Sequence, residues 1–375
     1  MNEREVAELR RRFKPEKSNI THIRGCYVNE NREIVSQFDQ PLTLLEDEEL
    51  ERFLSVLKRT LTGGLGKNLV DLTFSTKQVA EGEEHKLLMT LRNSALQDSG
   101  AVFEFFSRVM ESLELEGNYL ILLAYDKYDV PYRSKDGERQ MDASSEVFSY
   151  VLCSICPVKL TKPALSYYVK ENEFRSRGAD WLVSPPELGF LFPAFDNRST
   201  NLYNALYYSR DPGENYAAFV DRIFKAEAPM PAEEQKETFG SLLGNTLEED
   251  CCYEVVQAVQ NELRDIITEH KQSKDPEPLV LSKQAVRRVL EDCGVSPAHA
   301  EAFTGRYDES FGEDMEISPR NLVGSKVEVR TPDVTIQVNP ERSGLVETRV
   351  IEGVKYILIR ADEGVEVNGV NIQIT

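Results

Sequence analysis

Two segments near the middle of the chain are almost continuously apolar. Asn118–Asp126 and Val147–Val158 have strand length and are rich in aromatic and β-branched residues, and a polar stretch containing Lys135-Asp136-Gly137 lies between them. Continuous apolarity of this kind is typical of strands that are covered on both faces. The pattern therefore predicts two neighbouring strands in the middle of a sheet, whose polar ends form the working surface.

The residues before these strands show helical and hairpin patterns. Apolar residues recur at helical spacing in several segments, which predicts amphipathic helices. Asn2 and Glu5 are placed to form a capping box at the start of the first helix. The predicted elements are, in order, a helix from Asn2, a hairpin of Ile20–Val28 and Arg32–Phe38, a helix from Asp47 that Gly63-Gly64 ends, and helices around Leu87–Leu91 and Val102–Leu113.

The residues that follow the central strands show less regular sequence patterns. Ala164–Val169 has the composition of a strand and is predicted to join the sheet. Ser184–Arg198 contains three prolines, which exclude a regular helix, so this segment is predicted to be an irregular buried passage or an edge strand. Asn201–Tyr208 and Tyr216–Phe224 are predicted helices.

A change of character at Ala228-Pro-Met-Pro231 predicts a domain boundary. Residues 1–229 are predicted to form an α+β domain, and residues 230–375 an acidic helical segment followed by a β-rich C-terminal part. The fold class is α+β, with a mixed or antiparallel sheet packed with amphipathic helices. The predicted elements after the boundary are a long helix capped by Thr246 and Glu249, a helical pair (Ser282–Cys293 and Ser296–Phe311) that meets at Gly294, strands at Lys326–Arg330, Val334–Val338, Leu345–Ile351 and Lys355–Arg360, and a hairpin turning at Asn368-Gly369.

Composition and charge narrow the class of protein. The chain has 375 residues, 41% of them apolar, and a net charge of −20, which argues against nucleic-acid and anionic-membrane partners. The first 24 residues are an exception with seven basic and four acidic residues, and the run Arg10-Arg11-Arg12 is predicted to be a solvated helix face. No apolar run reaches the roughly 18 residues of a membrane span. The N-terminus lacks the apolar core of a signal peptide, and six cysteines form no disulfide scaffold, so we expect a cytoplasmic protein.

Short motifs with potential chemistry each have a simpler structural explanation. Cys153 and Cys156 form a CxxC pair, but on a strand two residues three apart point to opposite faces, so two buried structural cysteines are expected. Gly63–Asn68 resembles a phosphate loop, yet it follows a predicted helix and lacks the first glycine and the Ser or Thr of that motif. The four histidines are scattered, and no cofactor is expected.

Carboxylates near the ends of the central strands are the remaining candidates for a functional site. Asp126 and Asp129 follow the first strand, and Glu187 and Asp196 lie in the proline-rich segment together with Arg198. If these groups converged, they could bind a divalent cation or carry out acid–base chemistry. The alternative is that they cap helices or form ion pairs with arginine. Their convergence in one cleft is the condition for the first interpretation.

Several motifs together resemble a known family. They are Arg12-Phe-Lys-Pro15, Gly25-Cys-Tyr27, Gly66-Lys-Asn68, Tyr119–Tyr125 with Asp126, Pro185-Pro-Glu-Leu-Gly-Phe-Leu-Phe-Pro-Ala-Phe-Asp196, Asp275-Pro-Glu-Pro278 and Val346-Glu-Thr-Arg-Val350. Over its whole length the chain resembles a bacterial family catalogued as a domain of unknown function under the number 4317. The resemblance implies a bacterial cytoplasmic protein and supplies no activity, cofactor or site residue. The order of elements also resembles that of the nucleoid-associated protein family.

Three hypotheses on function follow. The first is a non-enzymatic cytoplasmic binding or assembly protein with an unknown protein partner, because no complete catalytic constellation is present. The second is a hydrolase-type enzyme that uses the carboxylates near Asp126 and Asp196, with or without a divalent cation. The third is a nucleoid-associated-like DNA-binding protein that uses the basic N-terminal helix. The sequence leaves the oligomeric state and the ligand open.

Overall fold

The computed structural model describes residues 1–133, 139–273, 275, 277–312, 315–324, 326–361 and 364–373, without the side chains of residues 132–145 and 249. The described residues divide into two compact units. The first comprises Met1–Pro231 with residues 277–278, and the second comprises the described residues of Ala232–Asp275 and Leu279–Thr375.

The first unit contains six helices and twelve strands among its described residues. The helices are α1 (Glu3–Arg10), α2 (Asp47–Arg59), α3 (Thr76–Glu81), α4 (Glu83–Asn93), α5 (Ser99–Ser112) and α6 (Ala217–Phe224), with a 3₁₀ turn at Leu42–Leu44. The strands are β1 (His22–Val28), β2 (Ile34–Pro41), β3 (Leu69–Thr73), β4 (Asn118–Arg133), β5 (Arg139–Leu160), β6 (Ala164–Tyr168), β7 (Glu173–Arg177), β8 (Trp181–Val183), β9 (Leu188–Phe192), β10 (Ala194–Asp196), β11 (Ser199–Asn201) and β12 (Asn204–Ser209).

The central sheet is antiparallel and has the order β2-β1-β4-β5-β9-β12-β3, and β8 pairs with the end of β5. The predicted strand pair is confirmed, because β4 and β5 are neighbours in the middle of this order. Helices cover both faces of the sheet, as the continuous apolarity indicated. On one face α4, α5 and α6 form a first core with residues such as Phe105, Phe190 and Phe224. On the other face α1 and α2 form a second core, which includes Leu54 and Phe148.

The proline-rich segment forms an interior strand and not an edge strand. β9 lies between β5 and β12, and all five of its residues are buried. Pro185 and Pro186 precede the strand and Pro193 follows it, so no proline removes a donor from the ladder. Gly189 lies so close to β5 that a Cβ atom there would be 2.2 Å from the carbonyl oxygen of Cys153. The predicted burial is confirmed, and the predicted edge position is wrong.

Two other predictions for the first unit are wrong. Asn201–Tyr208 is not a helix, since β12 occupies most of it and pairs with β9 and β3. Its apolar run is too short to separate a strand from a buried helix by periodicity. Ala164–Val169 is a strand as predicted, but β6 does not join the central sheet. Among the described strands it pairs with β7 alone, in a separate two-stranded hairpin.

The second unit is helical in its first part and consists of hairpins in its last part. Its helices are α7 (Ala232–Leu247), α8 (Tyr253–Ser273), α9 (Lys283–Asp292), α10 (Pro297–Phe311) and α11 (Pro319–Leu322), with 3₁₀ turns at Glu248–Asp250 and Pro340–Leu345. Its strands are β13 (Val327–Arg330), β14 (Thr335–Val338), β15 (Val346–Ile351), β16 (Val354–Ile359), β17 (Val365–Val367) and β18 (Val370–Ile372), which form three separate antiparallel hairpins.

Aromatic residues of α7 and α10 pack against each other in the core of this unit. The rings of Phe239 and Phe303 pack edge to face with centroids 5.7 Å apart. The predicted helical pair and C-terminal hairpins are confirmed. The predicted cap at Thr246 is wrong, because Thr246 lies in the last turn of α7 and its hydroxyl donates to the carbonyl oxygen of Leu242. Both units together give the predicted α+β fold.

Candidate functional site

A buried ion pair joins the end of the N-terminal helix to the central sheet. Arg12 donates from Nε to Oδ2 of Asp126 at 2.8 Å and from Nη2 to Oδ1 at 3.0 Å. The hydroxyl of Tyr150 donates to the same Oδ2 at 2.9 Å, and Asp126 is only 1% exposed. Burial lowers the pKa of Arg12, but the hydrogen bonds and charge of Asp126 outweigh it and raise that pKa. Asp126 therefore has three charge-assisted contacts, in a place that excludes water.

A second ion pair lies next to the first on the same face of the sheet. Arg198 donates from Nη2 to Oε1 of Glu8 at 2.8 Å and from Nε to Oε2 at 3.2 Å. The hydroxyl of Tyr128 also donates to Oε1 of Glu8, at 2.6 Å. The guanidinium of Arg12 lies over the Tyr128 ring, 4.6 Å from its centroid. The two ion pairs are thus connected through Tyr128.

Asp196 lies on this side of the sheet but makes different contacts. Its Oδ1 is 2.7 Å from the amino group of Met1, and its Oδ2 accepts a hydrogen bond of 2.6 Å from Asn201. The amino group of Met1 also lies 3.0 Å from Asp71. Burial raises the pKa of Asp71, and the positive charge of that amino group offsets this increase only in part. Asp196 and Arg198 both follow β9, on strand β10 and in the turn after it.

The other two candidate residues lie elsewhere. Asp129 is three residues beyond Asp126 on β4, so its side chain is on the opposite face of the sheet. There it lines a cleft of about 390 Å³ together with Arg24 and Tyr125. Glu187 comes just before β9 and lies beside Ile155 of β5, whereas Asp126 lies opposite Tyr150 of β5. These two positions are roughly 17 Å apart along β5. Oε2 of Glu187 is 2.6 Å from Arg210.

The structure therefore brings Asp126, Asp196 and Arg198 to one side of the sheet and separates Asp129 and Glu187 from them. Asp126 pairs with Arg12, Glu187 with Arg210, and Asp196 with the Met1 amine. Within the part of the chain that the structure describes, no group of His, Cys, Asp and Glu side chains is arranged to hold a metal ion.

A basic cleft lies between α1 and the end of β4, with a volume of about 240 Å³. No sequence pattern indicates this cleft, because the partners of its residues are more than 100 positions away in the sequence. The prediction that Arg10-Arg11-Arg12 is a solvated helix face is wrong for Arg12. α1 ends at Arg10, and Arg12 turns into the ion pair with Asp126. The lining residues of this basic cleft are Glu8, Arg11, Arg12, Lys17, Tyr128, Pro131 and Arg198.

The CxxC pair is buried in the middle of the sheet. Cys153 belongs to the first core. Cys156 of β5 lies directly opposite Leu120 of β4, on the same face, and Leu120 packs against the second core. The prediction of opposite faces is confirmed. Burial raises the pKa of both thiols, that of Cys156 to about 12. Both thiols are consequently protonated at neutral pH.

This burial predicts a large difference in thiol reactivity. In the native protein, Cys251 and Cys252 are exposed and should react with iodoacetamide at the rate of free thiols. Cys153 and Cys156 should react at least about 100-fold more slowly, because they lack both access and thiolate character. Peptide mass spectrometry over a time course of labelling measures the four rates. Labelling of Cys156 as fast as Cys251 would contradict the described packing.

The glycine-rich loop and the buried histidine have structural contacts. Gly63–Asn68 connects α2 to β3, and Nδ2 of Asn68 donates to the carbonyl oxygens of Ser209 and Arg210, at 3.0 Å each. These bonds hold the loop against the end of β12. Nε2 of His85 is 2.9 Å from the carbonyl oxygen of Leu202, and its ring packs edge to face with Phe74.

Comparison with known proteins identifies the family. The model of the family described as "Domain of unknown function (DUF4317)" matches residues 1–370. The chain belongs to this family. No curated protein matches it. None of the helices that the structure describes in this DUF4317 protein has the length and apolarity needed to cross a membrane.

Proposed function

We propose that this DUF4317 protein is a non-enzymatic binding and assembly protein, and that its β6–β7 hairpin binds a second copy of the chain. The observation that carries this proposal is an exposed apolar surface on the hairpin. Leu165, Tyr167 and Phe174 lie on one face of it, because Tyr167 pairs with Phe174 across the two strands. Val169 follows in the turn. These four residues are called the hairpin face.

The hairpin face is unusually exposed for apolar side chains. Leu165 is 71% exposed, Val169 78% and Phe174 68%. The opposite face of the hairpin carries the charged residues Glu173 and Arg175 together with Tyr168. A two-stranded hairpin is only marginally stable in water unless a further layer packs against it. A contiguous exposed apolar surface of this kind is typical of protein interaction sites.

The distribution of charge favours a second copy as the partner. The chain carries a net charge of −20, so two copies repel each other over most of their surfaces. Residues 161–183, which contain the hairpin, have four basic and three acidic residues and a net charge of +1. The hairpin face itself has no charged side chain with which to select a charged partner. Under two-fold symmetry an uncharged apolar face is complementary to itself.

Strand β8 adds to this surface at the edge of the central sheet. Trp181 and Leu182 are 55% and 48% exposed. β8 pairs with β5 on one side, and no described strand pairs with its other side. An open strand edge with apolar side chains is a template for pairing with another chain. It supports assembly at this end of the first unit.

The two alternative hypotheses have less support. A hydrolase-type site would require free carboxylates that converge, whereas Asp126, Glu187 and Asp196 each have a cationic partner. Binding to DNA through the basic run Arg10-Arg11-Arg12 would lose one of its three charges, because Arg12 is bound to Asp126. Assembly through the hairpin face is therefore the function that the geometry supports best.

The test is the oligomeric state of the Leu165→Asp variant. Sedimentation velocity over a wide range of protein concentrations should show a dimer for the unmodified chain. Burying a leucine contributes about 1.5–3 kcal/mol, and a two-fold contact loses this twice, so the dissociation constant should rise at least about 100-fold. Leu44→Asp is the matched control, because Leu44 is 82% exposed outside the hairpin.

Each outcome of this experiment decides the proposal. A dimer that Leu165→Asp dissociates and Leu44→Asp leaves intact supports it. A monomer at all concentrations, or equal dissociation of both variants, overturns it. Flotation of a monomeric chain with zwitterionic lipid vesicles, abolished by Leu165→Asp, would overturn it in favour of a lipid surface as the partner.

A further inference from the structure

We propose that the basic cleft binds a small phosphate-class anion, orthophosphate or diphosphate. This site is independent of the hairpin face and of the assembly proposed for it. It combines uncompensated positive charge, one preorganised guanidinium and a small volume, in a protein whose overall charge is strongly negative.

The charge of the basic cleft is opposite to that of the chain. Four of its lining residues are basic, and Glu8 is the acidic one. Glu8 is neutralised by Arg198, and Arg12 by Asp126 behind it. Among the described residues, Arg11 and Lys17 have no ion-pair partner. Two positive charges are therefore left uncompensated at one small concave surface, where they attract anions.

One of the donors at this surface, the Arg12 guanidinium, is held in place. Arg12 uses Nε and Nη2 for Asp126 and for the carbonyl oxygen of Lys127, and its Nη1 has no acceptor among the described residues. The bidentate contact fixes the plane of the guanidinium before any ligand arrives. Arg11, Arg12 and Lys17 line the same cleft, so all three can donate to a single anion. Guanidinium groups favour phosphate because their paired donors match its oxygens.

Tyr128 does not add negative charge to the basic cleft. Burial and the neighbouring carboxylate of Glu8 raise the pKa of Tyr128 to about 12. The phenol consequently stays protonated at neutral pH and donates its hydrogen to Glu8. This bond also occupies Oε1 of Glu8, which lowers the repulsion between that carboxylate and a bound anion.

The size of the basic cleft limits the ligand. Its volume of about 240 Å³ is below the roughly 300–1,000 Å³ of sites for drug-sized molecules. Orthophosphate or diphosphate fits this volume better than a whole nucleotide does. The charge of such a ligand also exceeds that of chloride or a monocarboxylate, and the two uncompensated cations favour the more highly charged anion.

Isothermal titration calorimetry on the full chain at low ionic strength tests the proposal. The titrants are orthophosphate, diphosphate and chloride, and a single-stranded oligonucleotide tests phosphate groups on a polymer. The double variant Arg11→Gln/Lys17→Gln should bind orthophosphate or diphosphate at least about 30-fold more weakly than the unmodified chain. Lys67→Gln/Lys77→Gln is the control, because it removes two exposed positive charges of the same unit at other places.

The control separates a site from general electrostatics. Saturable binding of one anion per chain that the cleft variant weakens, and that the control variant changes by less than about twofold, supports the proposal. Three results overturn it: no heat with orthophosphate or diphosphate, equal weakening in both variants, or binding of the oligonucleotide alone. All four substituted side chains are exposed, so equal thermal midpoints of the two variants are expected and confirm that both are folded.

Discussion

Replacing Asp126 by alanine should lower the free energy of unfolding by about 3–5 kcal/mol. The substitution removes the carboxylate that Arg12 contacts with two hydrogen bonds and that Tyr150 contacts with one. Asp126 is 1% exposed and the Arg12 side chain 12%, so water cannot replace the lost charge. The cost arises because a guanidinium and a buried phenol are left without their acceptor.

Urea unfolding, followed by circular dichroism, measures this loss. Glu48→Ala is the control, since Glu48 forms an ion pair with Arg52 at the surface, where both side chains are at least 75% exposed. It should cost less than about 1 kcal/mol. The double variant Arg12→Met/Asp126→Ala should recover part of the loss, because it leaves no unpaired charge. A loss for Asp126→Ala as small as that of the control would show that the ion pair is not buried.

Replacing Phe190 by alanine should destabilise the first unit by about 3–5 kcal/mol. Phe190 lies on β9 and is completely buried. Its ring packs edge to face against Phe105 of α5 at 5.9 Å and against Phe224 of α6 at 5.0 Å. The substitution opens a cavity between the sheet and two helices. The neighbouring rings are held by their own helices and cannot close it fully.

The same urea measurement tests this prediction. Phe103→Ala is the matched control, because Phe103 is on α5 as well but is 52% exposed, and it should cost less than about 1 kcal/mol. A comparable loss for both variants would contradict the position of β9 in the interior. The sequence had left an edge position for this segment open, so this variant tests the fold directly.

Most local elements could be predicted from the sequence. The capping box of Asn2 and Glu5, the hairpin of β1 and β2, and the strand pair β4–β5 all agree with the structure. Each of these depends on residues close in sequence, through side-chain periodicity or a hydrogen bond within one turn. The errors concern short segments. Asn201–Tyr208, the predicted helix that is a strand, has only eight residues, which is too few for periodicity to distinguish a helix from an interior strand.

The candidate site was predicted only in part. Asp126, Asp196 and Arg198 do lie on one side of the sheet, because strand ends and the turns after them collect polar residues. Their partners were not predictable in the same way. Glu8 and Arg198 are 190 residues apart, and Arg12 and Asp126 are 114 apart. No sequence pattern links the two members of either pair. Arg12 was therefore predicted to be a solvated arginine, like Arg10 and Arg11.

The sequence by itself determined the α+β class, the acidic character and most of the helices and strands of this DUF4317 protein, because these follow from composition and from periodicity over a few residues. Only the tertiary structure decided which strands are interior, which arginines are bound and which apolar residues remain exposed. The face that a side chain presents is set by its own strand. Whether that face meets a helix, as at Phe190, or solvent, as at Phe174, depends on segments that are distant in the sequence.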